Sequence, residues 1–137
     1  MENITGTILT LCGAAFSVVY ALVYLFRPKF MGYHSKATGK KWEEIDKGMQ
    51  TLVLALMRAA GGGLLSAGIT MAFLQFQFNA HRQDWIALAI LISGGAMILG
   101  SLFAVLMVRF KTPGRPPIPV IIAALLLIVA GYFFNCQ

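Results

Sequence analysis

Four long apolar runs, separated by polar stretches, organise the chain. The first, Thr5 to Phe26, is closed by Arg27-Pro28-Lys29; a second extends from about Met49 to Phe78 and a third from Trp85 to Val108. The last follows Pro113, Pro116, Pro117 and Pro119 and reaches Phe134. About 20 apolar residues suffice for a helix to cross a hydrocarbon core. The runs lack the apolar/polar alternation of barrel strands, and backbone groups in lipid must be bonded within their own segment, so the pattern predicts helices. The expected architecture is all-α: an integral membrane four-helix bundle forming a single transmembrane domain over 1–137. Its helices are expected at about 5–26, 49–78, 85–108 and 118–134, with loops at 27–48 and 109–117. The proline cluster marks a loop feeding a helix start, because proline is tolerated only in a first turn. A secretory signal carries its positive charge ahead of the apolar run; here the chain begins Met-Glu-Asn and the charge follows, so the first run is expected to stay as a helix.

Charge sets the expected orientation. Nine of the eleven Lys and Arg lie in two connections: Arg27, Lys29, Lys36, Lys40, Lys41 and Lys47 in the first, Arg109, Lys111 and Arg115 in the third. Arg82 stands on the opposite side and Arg58 inside a run. The positive-inside rule then makes 27–48 and 109–117 cytoplasmic loops and both termini outward. Composition agrees: 58% hydrophobic and 12% charged residues, with a mean hydropathy of +0.77, leave too little polar surface for a water-soluble domain. Anionic lipid headgroups are the expected partners of the basic face, and nucleic acid is not among them.

Without a hydrophobic gain between helices in lipid, close approach through small residues drives packing. Such residues recur at i, i+4 spacing in Gly13, Ser17 and Ala21, in Gly62, Ser66 and Thr70, and in Ala96, Gly100 and Ala104. Either the stripes knit one bundle, or one of them is left for self-association or a larger membrane complex.

Arg58 is the candidate that stands out, since ionisable residues inside an apolar run mark sites. Its i+3 and i+4 neighbours are Gly61 and Gly62, so it is expected to share their helix face and point into the bundle. No Asp or Glu occurs in the four runs to pair with it. It either lies near the inner boundary and snorkels, meeting Glu43, Glu44 or Asp46, or its planar fork holds an anion. The first loop supplies the other ligand or lipid candidates: Arg27, Lys29, His34, Trp42 and Glu43. One reading makes this loop an interfacial anchor with Asp46 capping the second helix; the other pairs His34 with Glu43 or Glu44 as acid and base. His34 and His81 fall on opposite sides, and Cys12 and Cys136 lack metal spacing, so no metal, cofactor or catalytic residue is assigned. Both cysteines are expected to be buried free thiols.

The series Arg27-Pro28, Met31, Tyr33-His34, Trp42, Leu56-Met57-Arg58 followed by glycines, and Val108-Arg109 with Thr112-Pro113 resembles a family of short four-pass bacterial inner-membrane proteins with no assigned activity. That resemblance implies a bacterial inner-membrane location. In outline the chain is also similar to the membrane-associated eicosanoid and glutathione metabolism family, with four helices, a basic first loop and an arginine in the second helix. There Asn and Glu follow the arginine; here Ala59-Ala60-Gly61-Gly62-Gly63 does.

The sequence thus leads to a small membrane binding or accessory protein, not an enzyme, that contacts anionic lipid or a partner through its basic face and Arg58. The enzyme alternative acts on an amphipathic substrate at the inner interface, and a third reading is a small oligomeric channel.

Overall fold

The computed structural model describes residues 4–137 and is all-helical. Four long helices are each long and apolar enough to cross a membrane: α1 (Ile4–Phe26), α3 (Lys47–His81), α4 (Asp84–Lys111) and α5 (Ile118–Asn135). The first loop holds two elements that the apolar pattern does not predict, a short helix α2 (Gly32–Thr38) and a single 3₁₀ turn at Trp42–Glu44. Helix ends carry the expected chemistry. Asp46 caps α3, its carboxylate accepting from the Met49 N–H at 2.9 Å, and Gly39 ends α2 in the left-handed conformation (φ 68°) that glycine adopts without cost. At the α3–α4 turn Arg82 takes the same conformation (φ 51°); its N–H donates to the Phe78 carbonyl and its guanidinium lies 5.5 Å from the centre of the Phe78 ring.

The long helices form a ring in the order α1, α3, α4, α5, each packed on two neighbours. Glycines set the spacing. A Cβ on Gly61 would stand 3.1 Å from the Ala21 carbonyl oxygen and one on Gly68 would stand 3.0 Å from that of Ala14, so α1 and α3 meet backbone to backbone. On the α1–α5 seam Gly13 receives Ile128 and Gly131 receives Thr10; between α3, α4 and α5, Gly94 receives Met71 and Ile128. Ala14, Met71, Ile90, Ile98, Ala124 and Ile128 form the buried centre.

These contacts correct the expected faces. Gly13, Ser17 and Ala21 are buried between helices, but the working stripe of α3 is Gly61 and Gly68, while Gly62, Ser66 and Thr70 are exposed. On α4 the buried positions are Ile90, Gly94 and Ile98, and Ala96, Gly100 and Ala104 are exposed. Cys12 and Cys136 are free, as expected, but exposed, because Cys12 lies on the outward side of α1 and Cys136 just past α5.

Candidate ligand-binding cavity at the basic end

The two ends of the bundle are built differently. At the α3–α4 turn end, five polar side chains satisfy one another. Gln75 and Asn135, both buried, form a reciprocal amide pair: Asn135 Nδ2 donates to Gln75 Oε1 at 2.9 Å, and Gln75 Nε2 approaches Asn135 Oδ1 at 3.4 Å. Gln75 Nε2 also donates to Asn79 Oδ1 at 2.9 Å, which accepts from Thr7 Oγ1 at 3.0 Å, and Thr10 Oγ1 lies 3.5 Å from Asn135 Nδ2. This network ties α1, α3 and α5 together, and every buried side-chain nitrogen and oxygen among the described residues has a partner. Beside it Phe78, Ile86 and Ala87 fill the remaining space.

At the opposite, basic end the helices part. An apolar cavity of about 460 Å³ runs between α1, α3, α4 and α5, from Ser17, Leu64, Ile98 and Ala124 in mid-bundle to Arg27, His34 and Pro117 at its mouth. Small residues leave the space: Ala60, Ser101, Ala104 and Ala124 line it where larger side chains would close it. A second cavity, about 760 Å³, lies on the other side of α2 against the first turns of α3; Tyr24, His34, Ala60 and Val108 form walls of both.

The short helix α2 is held over the mouth. The hydroxyls of Tyr24 on α1 and Tyr33 on α2 share a hydrogen bond at 2.8 Å. Burial, and then that bond, push the Tyr33 phenol well above its ordinary value, so it stays protonated. Phe30 is buried, edge-on to Trp42 at 5.0 Å and to His34 at 6.0 Å. From the far side Gly114 presses on α2: a Cβ there would stand 3.0 Å from Ala37 Cβ and from the Tyr33 carbonyl oxygen. Gln50 of α3 donates to the Trp42 and Ile45 carbonyls at 2.8 and 3.0 Å, fixing the 3₁₀ turn.

His34 is part-buried in this assembly. Its Nδ1 accepts from the Met31 N–H at 3.3 Å, so the neutral ring carries its proton on Nε2. Desolvation, and then the nearby Arg27 charge, hold its pKa below the usual 6.5. At neutral pH the site therefore offers an imidazole N–H donor and the fixed positive charge of Arg27 at the rim of an apolar slot. The carboxylates nearby are engaged: Glu43 pairs with Lys29 at 3.6 Å, Glu44 accepts from the Lys41 N–H at 2.9 Å, and Asp46 caps α3.

Of the sequence candidates, the structure thus brings Arg27 and His34 to one cavity. Lys29 and Glu43 pair with each other in the exposed loop, and Trp42 packs on Phe30 behind it. The His34–Glu pairing is not formed, since each member has another partner. Arg58 is exposed and does not point into the bundle. It separates Gly61, packed on α1, from Gly62, whose Cβ position has no atom within 4 Å. Because Gly61 faces Ala21 to Leu25 and Gly68 faces Ala14 to Val18, the antiparallel register sets Arg58 level with Phe26 and Arg27, at the end of α1. That level suits a snorkelling side chain. Tyr24 and Tyr33, which join across the mouth, are the residues of the site that sequence reasoning did not single out.

Compared with protein families, curated proteins and solved structures, the chain matches none. The class it defines is therefore structural: an all-helical chain with four membrane-length apolar helices, tied at one end and open at the basic end.

Proposed function

We propose that the chain is a multi-pass protein of a bacterial inner membrane, with both termini outside and the open end cytoplasmic, and that it binds an amphipathic anionic ligand there without transforming it. Nine of eleven Lys and Arg gathered at the open end support the orientation. The observation that carries the binding reading is the apolar cavity of about 460 Å³ beginning at Arg27 and His34, a size and lining typical of small-molecule sites. Against the enzyme alternative, His34 has no carboxylate to work with and Glu43 is held by Lys29. Against the channel alternative, the buried polar groups at the tied end bond to one another instead of lining a path.

Native mass spectrometry of protein gently extracted from membranes tests this. Wild type is expected to retain a bound amphiphile that Ala60→Phe and Ser101→Phe, which fill the cavity, lose while staying helical and folded. Equal retention by wild type and both filled variants would overturn the reading.

A further inference from the structure

The proposal concerns the chemical class of the ligand and rests on the binding reading above. We infer that the cavity takes one single-chain carboxylate amphiphile of the long-chain fatty-acid class, drawn from the membrane leaflet at the basic end, with its carboxylate between Arg27 and His34.

Depth points to an acyl chain. Along α1 and the residue after it the lining runs from Phe16 to Arg27, about 16 Å at 1.5 Å per residue. That is the depth of one leaflet, half of a hydrocarbon core about 30 Å thick. The floor is closed: Ile98 and Ala124 belong to the buried centre of the bundle, so the slot ends where the core begins. A chain can enter from the headgroup level and descend to mid-bundle, and no further.

Width points to one chain. A volume of about 460 Å³ spread along that length is a narrow slot. The neighbouring cavity does not offer room for a second chain at the same depth. It reaches inward only as far as Tyr24 on α1 and Ala60 on α3, and Ser17, Ile98 and Ala124, at the depth of the slot's floor, are not among its walls. A diacyl lipid would leave its second tail short of that depth.

Charge points to a carboxylate. The charged residue lining the slot is Arg27, and its lining contains no Asp or Glu. His34 adds one Nε2–H donor with no charge of its own at neutral pH, since Nδ1 is occupied by the Met31 N–H. One guanidinium and one neutral donor match a single negative charge, and the planar fork suits two carboxylate oxygens. A phosphate monoester, carrying up to about two charges, would keep one unmatched.

The test uses the full chain in nanodiscs of phosphatidylcholine, with binding followed by isothermal titration and native mass spectrometry. Palmitate is expected to bind one to one, with methyl palmitate at least tenfold weaker and acetate not bound. Arg27→Gln should weaken palmitate at least tenfold and leave methyl palmitate unchanged, while Arg27→Lys recovers part of the loss; Arg27 is exposed, so these variants fold. Ala124→Phe, which raises the floor, should shift preference from palmitate to laurate. Methyl palmitate binding as tightly as palmitate, or diacyl phosphatidylglycerol displacing palmitate at equal concentration, would overturn the assignment. If another amphiphile is retained but palmitate is not, this inference fails and the binding reading stands; if no amphiphile is retained, both fail.

Discussion

The tied end and the open end of this bundle use the same helices to opposite purposes. At the tied end glycines let backbones touch, and a set of amides and hydroxyls leaves no buried side-chain polar atom among the described residues without a partner. At the open end small side chains line a gap beside the Gly61 contact, and among the described residues no carboxylate pairs with the polar groups at its rim, Arg27 and the His34 imidazole. In a low-dielectric setting satisfied polar groups rigidify and unsatisfied ones recruit. The difference between the ends is therefore one of residual bonding capacity, not of hydrophobicity.

The largest expected effect comes from breaking the α1–α3 backbone contact at mid-bundle, on which both ends depend. Gly68→Leu would drive a side chain into the Ala14 carbonyl and Val18, and overpacking of this kind costs about 1–3 kcal/mol. Gly62→Leu, one face away and in open space, should stay within about 0.5 kcal/mol. Thermal unfolding in detergent compares them; equal losses would mean that the stripe on Gly62 also makes contacts, as it would in an oligomer. Next, Gln75→Leu leaves Asn135 and Asn79 short of a partner and is expected to cost about 1–2 kcal/mol, while adding Asn135→Leu should recover part of the loss. A double variant worse than either single one would show that the network's value lies outside that pair.

At the open end the effects are local and smaller. Tyr33→Phe removes the bond to Tyr24 and should cost about 0.5–1.5 kcal/mol, read as faster hydrogen exchange confined to α2. If exchange rises along α1 and α3 as well, the two ends are not separable. Smallest is the pH effect. Around His34 stand Tyr24 from α1, Arg27 just past its end, Tyr33 beside it, and Lys40 and Asp46 across the second cavity. Its pKa in the folded chain lies below 6.5, so the unfolded chain takes up the proton first as pH falls. Stability is thus complete above about 6.5, declines below it, and levels off under the folded value. A bound anion offsets the Arg27 charge, so affinity should rise over the same interval. Melting curves between pH 7.5 and 5 should show the decline in wild type and a flatter profile in His34→Gln; identical profiles would remove His34 from the account.

How much of this was legible in the sequence depended on the kind of information. The four apolar runs announce long helices because length along one dimension is enough. Faces were harder, because a helix apolar all round carries little contrast between its sides. In Gly61-Gly62-Gly63 three candidates sit side by side, and an i, i+4 series starting from Gly62 leads to the wrong one. The buried positions Met57, Gly61, Gly68, Met71, Gln75 and Phe78 follow steps of four, seven, three, four and three, the spacing of one helix face, and that spacing was readable. Arg27 and His34 were visible as candidates, but their convergence was not. It depends on α2, seven residues too short and too polar to register against the long runs, and on a tyrosine pair whose members lie on different helices. Arg58 drew attention because charge in an apolar run is conspicuous, whereas its level in the bundle became plain only from the glycine contacts that set the register.

The amide network draws its members from α1, α3 and α5 alone. The remaining long helix, α4, supplies one wall of the slot, from Met97 to Val108, and none of the hydrogen bonds of that cluster. What holds α4 is apolar packing: Ile86 and Ala87 seat beside Phe78, and Gly94 lets Met71 and Ile128 close against the helix.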